Sequence, residues 1–139
     1  MNTFVLDCSL AMAWVFPDEA TETTDRLLDA LTDGRAFVPA LWPVEVASVL
    51  LVATRRRRIA ETDWPRIRRN LDALPIRIDP AATSRIWDEV LEAAHAYRLS
   101  VYDSMYLELA IRMQLPLATL DAALAAAGRA AGLEVPTLA

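Results

Sequence analysis

FVLDCSLAMAWVF (residues 4–16) is the stretch that decides how the chain is read. A short apolar run, entered from Thr3 and β-branched at Val5, meets an aspartate at position 7. A second apolar run follows at once and has helical character over 8–15. The first run suits a buried strand, and Pro17 breaks the helix, so the unit reads strand, acid, helix. An ionised carboxylate in such surroundings is unfavourable unless a partner offsets its desolvation. Asp7 therefore marks a place where something is to be met.

Outward from this unit the alternation continues. Thr21 to Asp33 reads as a helix with Leu27, Leu28 and Leu31 on one face, ended by Gly34 as a C′ residue. AFVP (36–39) is a second strand. A long helix follows from Pro43 through the arginines at 55–58, with proline tolerated in its first turn. ETDWPRIRRNLDAL (61–74) is amphipathic, with Thr62 as its cap. IRI (76–78) is a third strand, and Asp79-Pro80 opens a helix reaching about Tyr97. YDSMYLELAIRM (102–113) is a helix, PLATL (116–120) a strand, and 121–131 a helix ending near Gly132. EVP (134–136) is a candidate final edge strand. This order predicts one α/β domain over residues 1–139, with a central, mostly parallel sheet of four to five strands flanked by helices.

Composition narrows the classes. At 139 residues and 55% hydrophobic content the chain can bury a core without staples. One cysteine excludes an internal disulfide framework and suits a reducing cytoplasm. The N-terminus carries no basic segment before its apolar run, so no signal peptide is expected. FVPALWPVEVASVLLVA is the longest apolar run, but Glu45 and two prolines argue for a buried soluble helix and against a membrane span. All fourteen basic residues are arginine. Without lysine, Walker-type phosphate loops and Schiff-base chemistry are excluded. The net charge of −5 is unusual for a nucleic-acid binder.

In parallel sheets, ligands sit outside the carboxyl ends of the strands. Asp7 follows the first strand and Asp121 follows PLATL. Glu45 lies early in the helix after the second strand, among Val44, Val46, Ala47 and Val49, and Asp103 opens the helix after Val101 and Tyr102. Four carboxylates sharing one pocket would repel one another and take up protons, and a divalent cation relieves that conflict, because Mg2+ and Mn2+ prefer carboxylate oxygen. Aspartate is also a good N-cap, which by itself accounts for Asp103 and Asp121. A cap does not account for Glu45.

Three segments, FVLDCSLAMAWVF, PALWPVEVASVLL and YRLSVYDSMYLELAIRMQLPLATLDAALAAAG, together resemble the PIN-domain ribonuclease family, in particular its toxin members, called VapC. The resemblance runs over almost the whole chain, and VYDSMYLELA with PLATLD is its most specific part. It implies that Asp7, Glu45, Asp103 and Asp121 are the catalytic and metal-holding acids, and that Ser9 and Thr119 are supporting hydroxyls. The implied activity is Mg2+-dependent endoribonuclease action on RNA phosphodiester bonds, with Mn2+ as a substitute. The implied partners are the RNA substrate and a VapB-like antitoxin; a homodimer is expected because two-fold dimers are the commonest oligomers, with a heterotetramer or larger assembly when the antitoxin is bound. Ser48 departs from the family, where asparagine is frequent. Cys8 also departs and reads as buried filler. Setting aside the four acids of the total of 19 leaves 15 against 14 arginines, so the remaining surface is near neutral.

Some residues keep two readings. Arg55, Arg56, Arg57 and Arg58 are either a solvated helix end favoured by the macrodipole or a phosphate-gripping patch that Arg66, Arg68 and Arg69 would extend. His95 reads as a surface histidine. The tryptophans read as core or interface, with Trp64 and Trp87 placed for partner contact. Glu108, five residues after Asp103 on a helix, is turned away from the site. A catalytically silent PIN-fold module that binds RNA or protein is the alternative to the enzyme. A phosphatase with Asp7 as nucleophile would want an acid where Ser9 stands, and a phospho-receiver would need a lysine.

Overall fold

The computed structural model describes residues 2–80 and 82–136. Four parallel strands form one sheet in the order β3-β2-β1-β4: β1 Thr3–Leu6, β2 Arg35–Pro39, β3 Ile76–Asp79 and β4 Leu117–Ala118. Val5 is in register with Phe37 on one side and Leu117 on the other. Phe4, Val5 and Leu6 are fully buried, as expected of a central strand covered by helices on both faces. The helices are α1 Cys8–Val15, α2 Glu22–Ala30, α3 Leu41–Arg55, α4 Trp64–Asp72, α5 Ala82–Arg85, α6 Leu91–Tyr97, α7 Val101–Met113 and α8 Ala122–Ala130. The expected α/β class, single sheet and parallel sense are those observed.

α7 is the most enclosed element. Every residue from Ser104 to Ala110 is buried, so this helix runs through the interior and carries its polar side chains into it. Its N-cap is Ser100, whose Oγ accepts the Asp103 N–H at 3.0 Å. The Asp103 carboxylate is thereby free of capping duty.

Several boundaries depart from expectation for identifiable reasons. β4 ends at Ala118, because the next N–H groups turn away from the ladder: Leu120 donates to Ser9 Oγ and Asp121 to Thr119 Oγ1, each at 3.0 Å. EVP (134–136) adds no fifth strand among the described residues. Among the described residues its backbone link to the sheet is the Leu117 N–H donated to the Glu134 carbonyl at 2.9 Å, and Pro136 has no N–H to extend the pairing. Gly34 is not a left-handed helix end. A Cβ there would lie 1.6 Å from the Asn2 carbonyl oxygen, the same oxygen that accepts the Arg35 N–H at 2.9 Å, so glycine is needed for close approach between chain segments.

Helix 80–97 is not continuous. α5 gives way to a π turn at Ile86–Val90 before α6 resumes, directly after Arg85 has reached across to α7. Ala81 lies outside the described residues. Thr62 does not cap α4. Asp63 accepts the Ala60 N–H at 2.9 Å and closes a 3-10 turn over Glu61–Asp63. α3 stops at Arg55, and Arg57 adopts φ 58°, so the arginine run is only partly helical. Among the described residues no helix is long and apolar enough to cross a membrane.

Candidate active site

Every parallel strand points its carboxyl end to the same edge, and the chain delivers its acids there from four separate elements. Asp7 stands between β1 and α1, Glu45 in the first turns of α3, Asp103 in the first turn of α7, and Asp121 between β4 and α8. All four line one cleft of about 330 Å³, together with Ser9 and Ser48 and a floor that includes Cys8 and Met12. Neither Asp7 nor Asp121 makes a side-chain cap bond, although each occupies an N-cap position. With Ser100 capping α7, capping explains none of the three aspartates.

Asp7 is 5% exposed and is held by hydroxyls. Ser9 Oγ and Thr119 Oγ1 both donate to its Oδ2, at 2.6 and 2.7 Å. These two donors join the start of α1 to the end of β4, so the carboxylate is fixed by both walls of the cleft. Burial raises its pKa above the ordinary carboxylate range; the Ser9, Thr119 and Cys8 backbone hydrogen bonds oppose that rise, and the charge of Asp121 adds to it. Glu45 is raised by burial, then by Asp7 and Asp103, against a lowering hydrogen bond from Tyr106. Asp103 is raised by burial, then by Asp121 and Asp7. After burial, each of the three rises includes the charge of another member of the set, so these acids feel one another electrostatically. The Cys8 thiol is pushed up to about 12, first by burial and then by Glu45 and Asp7. It is therefore protonated and no nucleophile.

Tyr106 was not singled out in the sequence. Fully buried one turn after Asp103 on α7, it donates its hydroxyl to Glu45 Oε1. Its i+3 spacing from Asp103 is the signal that would have found it. Burial and Glu45 hold its phenol above the ordinary range, so it remains the donor.

Glu108 lies away from the cleft, as its helical spacing implies. It is 7% exposed and bonds both Arg85 and Arg112, while Arg112 also pairs with Asp79 at 2.6 Å. The arginine run divides. Arg55, Arg56 and Arg57 are exposed, whereas Arg58 pairs with Asp18 and Glu19 at 2.7 and 2.8 Å and lies 3.9 Å over the Phe16 ring. Arg58 is thus engaged at the surface by two carboxylates and an aromatic ring rather than offered to a phosphate. Arg66 and Arg68 pair with neighbouring aspartates. His95 is exposed. Trp64 is half-buried and bonds Thr54 Oγ1 at 3.0 Å, while Trp87 is 82% exposed.

Among the described residues, no three His, Cys, Asp or Glu side chains are drawn together tightly enough to ligate one ion as they stand. The four acids expected from the sequence to share a pocket do line one cleft. Their chemistry still fits a hard divalent cation. The lining offers carboxylate and hydroxyl oxygens, includes no arginine, and is strained by like charge that a cation would relieve.

An α/β domain with an oxygen-rich acidic cleft at the carboxyl edge of a parallel sheet defines a class suited to metal-assisted chemistry on anionic substrates. The chain matches the PIN domain family over residues 4–130 and belongs to that family. PIN domains are in general metal-dependent nucleases. Among curated proteins, none matches the chain.

Proposed function

We propose that this protein is an endoribonuclease dependent on Mg2+, with Mn2+ as a substitute, that hydrolyses RNA phosphodiester bonds and acts as a toxin held in check by a VapB-like antitoxin. The observation that carries the reading is the delivery of Asp7, Glu45, Asp103 and Asp121 from four elements to one cleft whose lining contains no cation. These four acids would hold the metal. When bound, it supplies Lewis-acid activation of water and neutralises charge at the phosphoryl group. Ser9 and Thr119 fix the Asp7 carboxylate in orientation, and Tyr106 fixes Glu45. Thr119 is in turn bonded by the Asp121 N–H, so the backbone at Asp121 is tied to the group that orients Asp7. Leu10 and Ala11 on α1 and Leu124 on α8, close in sequence to Ser9 and Asp121, are fully buried, which supports rigid anchors. With two divalent ions the net charge of −5 becomes about −1, which removes the objection to a polyanionic substrate.

Two features support the partner and assembly. A groove of about 390 Å³ between α1, α2 and α4, floored by Trp14, Val15, Leu28, Ile67 and Leu71, suits the apolar face of an antitoxin segment. An arginine from that segment could reach the acids and compete with the metal through bidentate bonds. Trp87 and Leu91 are exposed one turn apart, a pair suited to self-association into the homodimer from which heterotetramers are built. If the inhibitor works this way, removing its C-terminal segment abolishes silencing in co-expression. Full silencing by the truncated partner contradicts the scheme.

The metal reading has its own test in pH-dependent stability. A carboxyl whose pKa is higher in the folded chain binds its proton more readily there, so it favours folding at low pH and loses that contribution as pH rises through the folded-state value. Asp7, Glu45 and Asp103 are all raised above ordinary values of 3.8, 4.5 and 3.8. The melting temperature without metal is therefore expected to fall as pH rises above about 4, the range in which these carboxyls ionise in the unfolded chain, and millimolar Mg2+ or Mn2+ is expected to restore it at pH 8. A melting temperature indifferent to divalent ions at pH 8 would count against metal binding.

Tyr106→Phe removes the donor to Glu45 while keeping the ring in the core. It should raise the Mg2+ concentration for half-maximal cleavage by about 10- to 100-fold. Unchanged metal dependence would remove Tyr106 from the account.

A further inference from the structure

The four arginines do not act as a unit. Because α3 ends at Arg55 and Arg57 takes φ 58°, the chain reverses within the run. Arg58 is carried back onto Asp18, Glu19 and Phe16. Arg56 has no ion-pair partner among the described residues. It lines a depression of about 270 Å³ with Ser48, Val49, Val52, Ala53 and Arg58. Ser48 and Val49 also line the acidic cleft, so the two depressions adjoin along α3.

The groove follows a single stripe of α3. Glu45, Ser48, Val49, Val52 and Arg56 stand at i, i+3, i+4, i+7 and i+11, the spacing of one helix face. At a rise of 1.5 Å per residue, Arg56 lies roughly 16 Å along the helix from Glu45. Val52 between them is 40% exposed and with Val49 gives the track an apolar middle between Glu45 and Arg56. Arg55 precedes Arg56 by one residue and points about 100° around the helix from it.

Resting on the nuclease reading, we infer that single-stranded RNA lies along this stripe of α3. Its scissile phosphate sits at the acids and a phosphate a few nucleotides away is held by Arg56, with Val52 against the intervening ribose or base. A cleft of about 330 Å³ is ligand-sized. A cationic anchor outside the acidic zone lets the polyanion bind without displacing the metal, and Arg56 is the member of the run placed to provide it. Arg58 closes the outer wall and contacts no phosphate.

The test uses the full chain carrying Asp103→Asn to prevent turnover, and a fluorescein-labelled, mixed-sequence single-stranded RNA titrated across a salt series. Adding Arg56→Ala should weaken binding about fivefold and reduce the slope of log affinity against log salt by about 0.7, the loss of one single-strand phosphate contact. Arg56→Lys should restore the slope, since lysine keeps the charge. Arg55→Ala should change the slope by less than half as much. In the otherwise native chain, Arg56→Ala should raise KM with kcat retained. If Arg55→Ala and Arg56→Ala behave alike while the native chain cleaves RNA, the groove assignment is wrong and the nuclease reading stands. A native chain that neither binds nor cleaves single-stranded RNA with Mg2+ or Mn2+ overturns both.

Discussion

Asp103→Asn is expected to reduce metal-dependent RNA cleavage by about 10²–10³-fold while leaving the fold intact, because it removes a charged ligand from a transition state whose charge the metal neutralises. Asparagine preserves the shape of the side chain, and the Asp103 N–H that caps on Ser100 is backbone and unaffected. The carboxylate itself makes no ion pair among the described residues, and its pKa is raised by burial and by Asp121 and Asp7. Its charge is therefore a burden on the metal-free fold. The variant should melt at the same temperature as the native chain, or slightly higher, when divalent ions are absent. A fully active Asp103→Asn protein, purified free of contaminating nuclease, would remove α7 from the site. A variant that is inactive because it is unfolded would show itself in the melting curve.

The second large effect concerns stability. Glu108→Ala is expected to destabilise the fold by about 2–4 kcal/mol, since removing one partner of a buried ion pair leaves the other uncompensated. Glu108 is nearly buried in the middle of α7 and holds two arginines, Arg85 from α5 and Arg112 one turn on. Arg112 retains Asp79 and Arg85 retains the looser Glu89 contact at 3.6 Å, which keeps the loss below the largest seen for such pairs. The same network ties the end of β3 and the segment before the π turn to the helix that presents Asp103 and Tyr106. Chemical denaturation should show a lowered midpoint, and cleavage measured well below the melting temperature should be largely retained. An unchanged midpoint would mean the network is ornamental to stability.

How much of this could be read from the residues depends on how local the cause is. β1 and α1 are legible because an apolar run meeting an acid and then a helical run has few other solutions. The acids were findable because each sits at a strand exit or within an apolar helix, and strand exits in a parallel sheet share an edge. Causes that lie in distant partners were not legible. β4 is two residues long because Ser9 and Thr119, 110 positions apart, turn its end toward Asp7. Gly34 reads as a helix terminator in sequence, but its reason is Asn2 across the sheet edge. Helical spacing excluded Glu108 from the site without revealing the arginines that meet it. The run Arg55–Arg58 looks uniform as text and is not, since a single left-handed residue, Arg57, separates Arg56, which makes no ion pair among the described residues, from Arg58, which is bound to Asp18 and Glu19.

On the proposed reading the cleft acids hydrolyse RNA through a bound divalent cation. The most direct measurement is the rate of cleavage of a labelled single-stranded RNA by the purified chain as Mg2+ or Mn2+ is titrated in from a chelated start, with Asp7→Asn prepared in parallel. Cleavage that is absent with chelator, rises saturably with metal and is lost in Asp7→Asn is the predicted result. Cleavage that persists in chelator, or a folded native chain that cuts no RNA at any metal concentration, would contradict it.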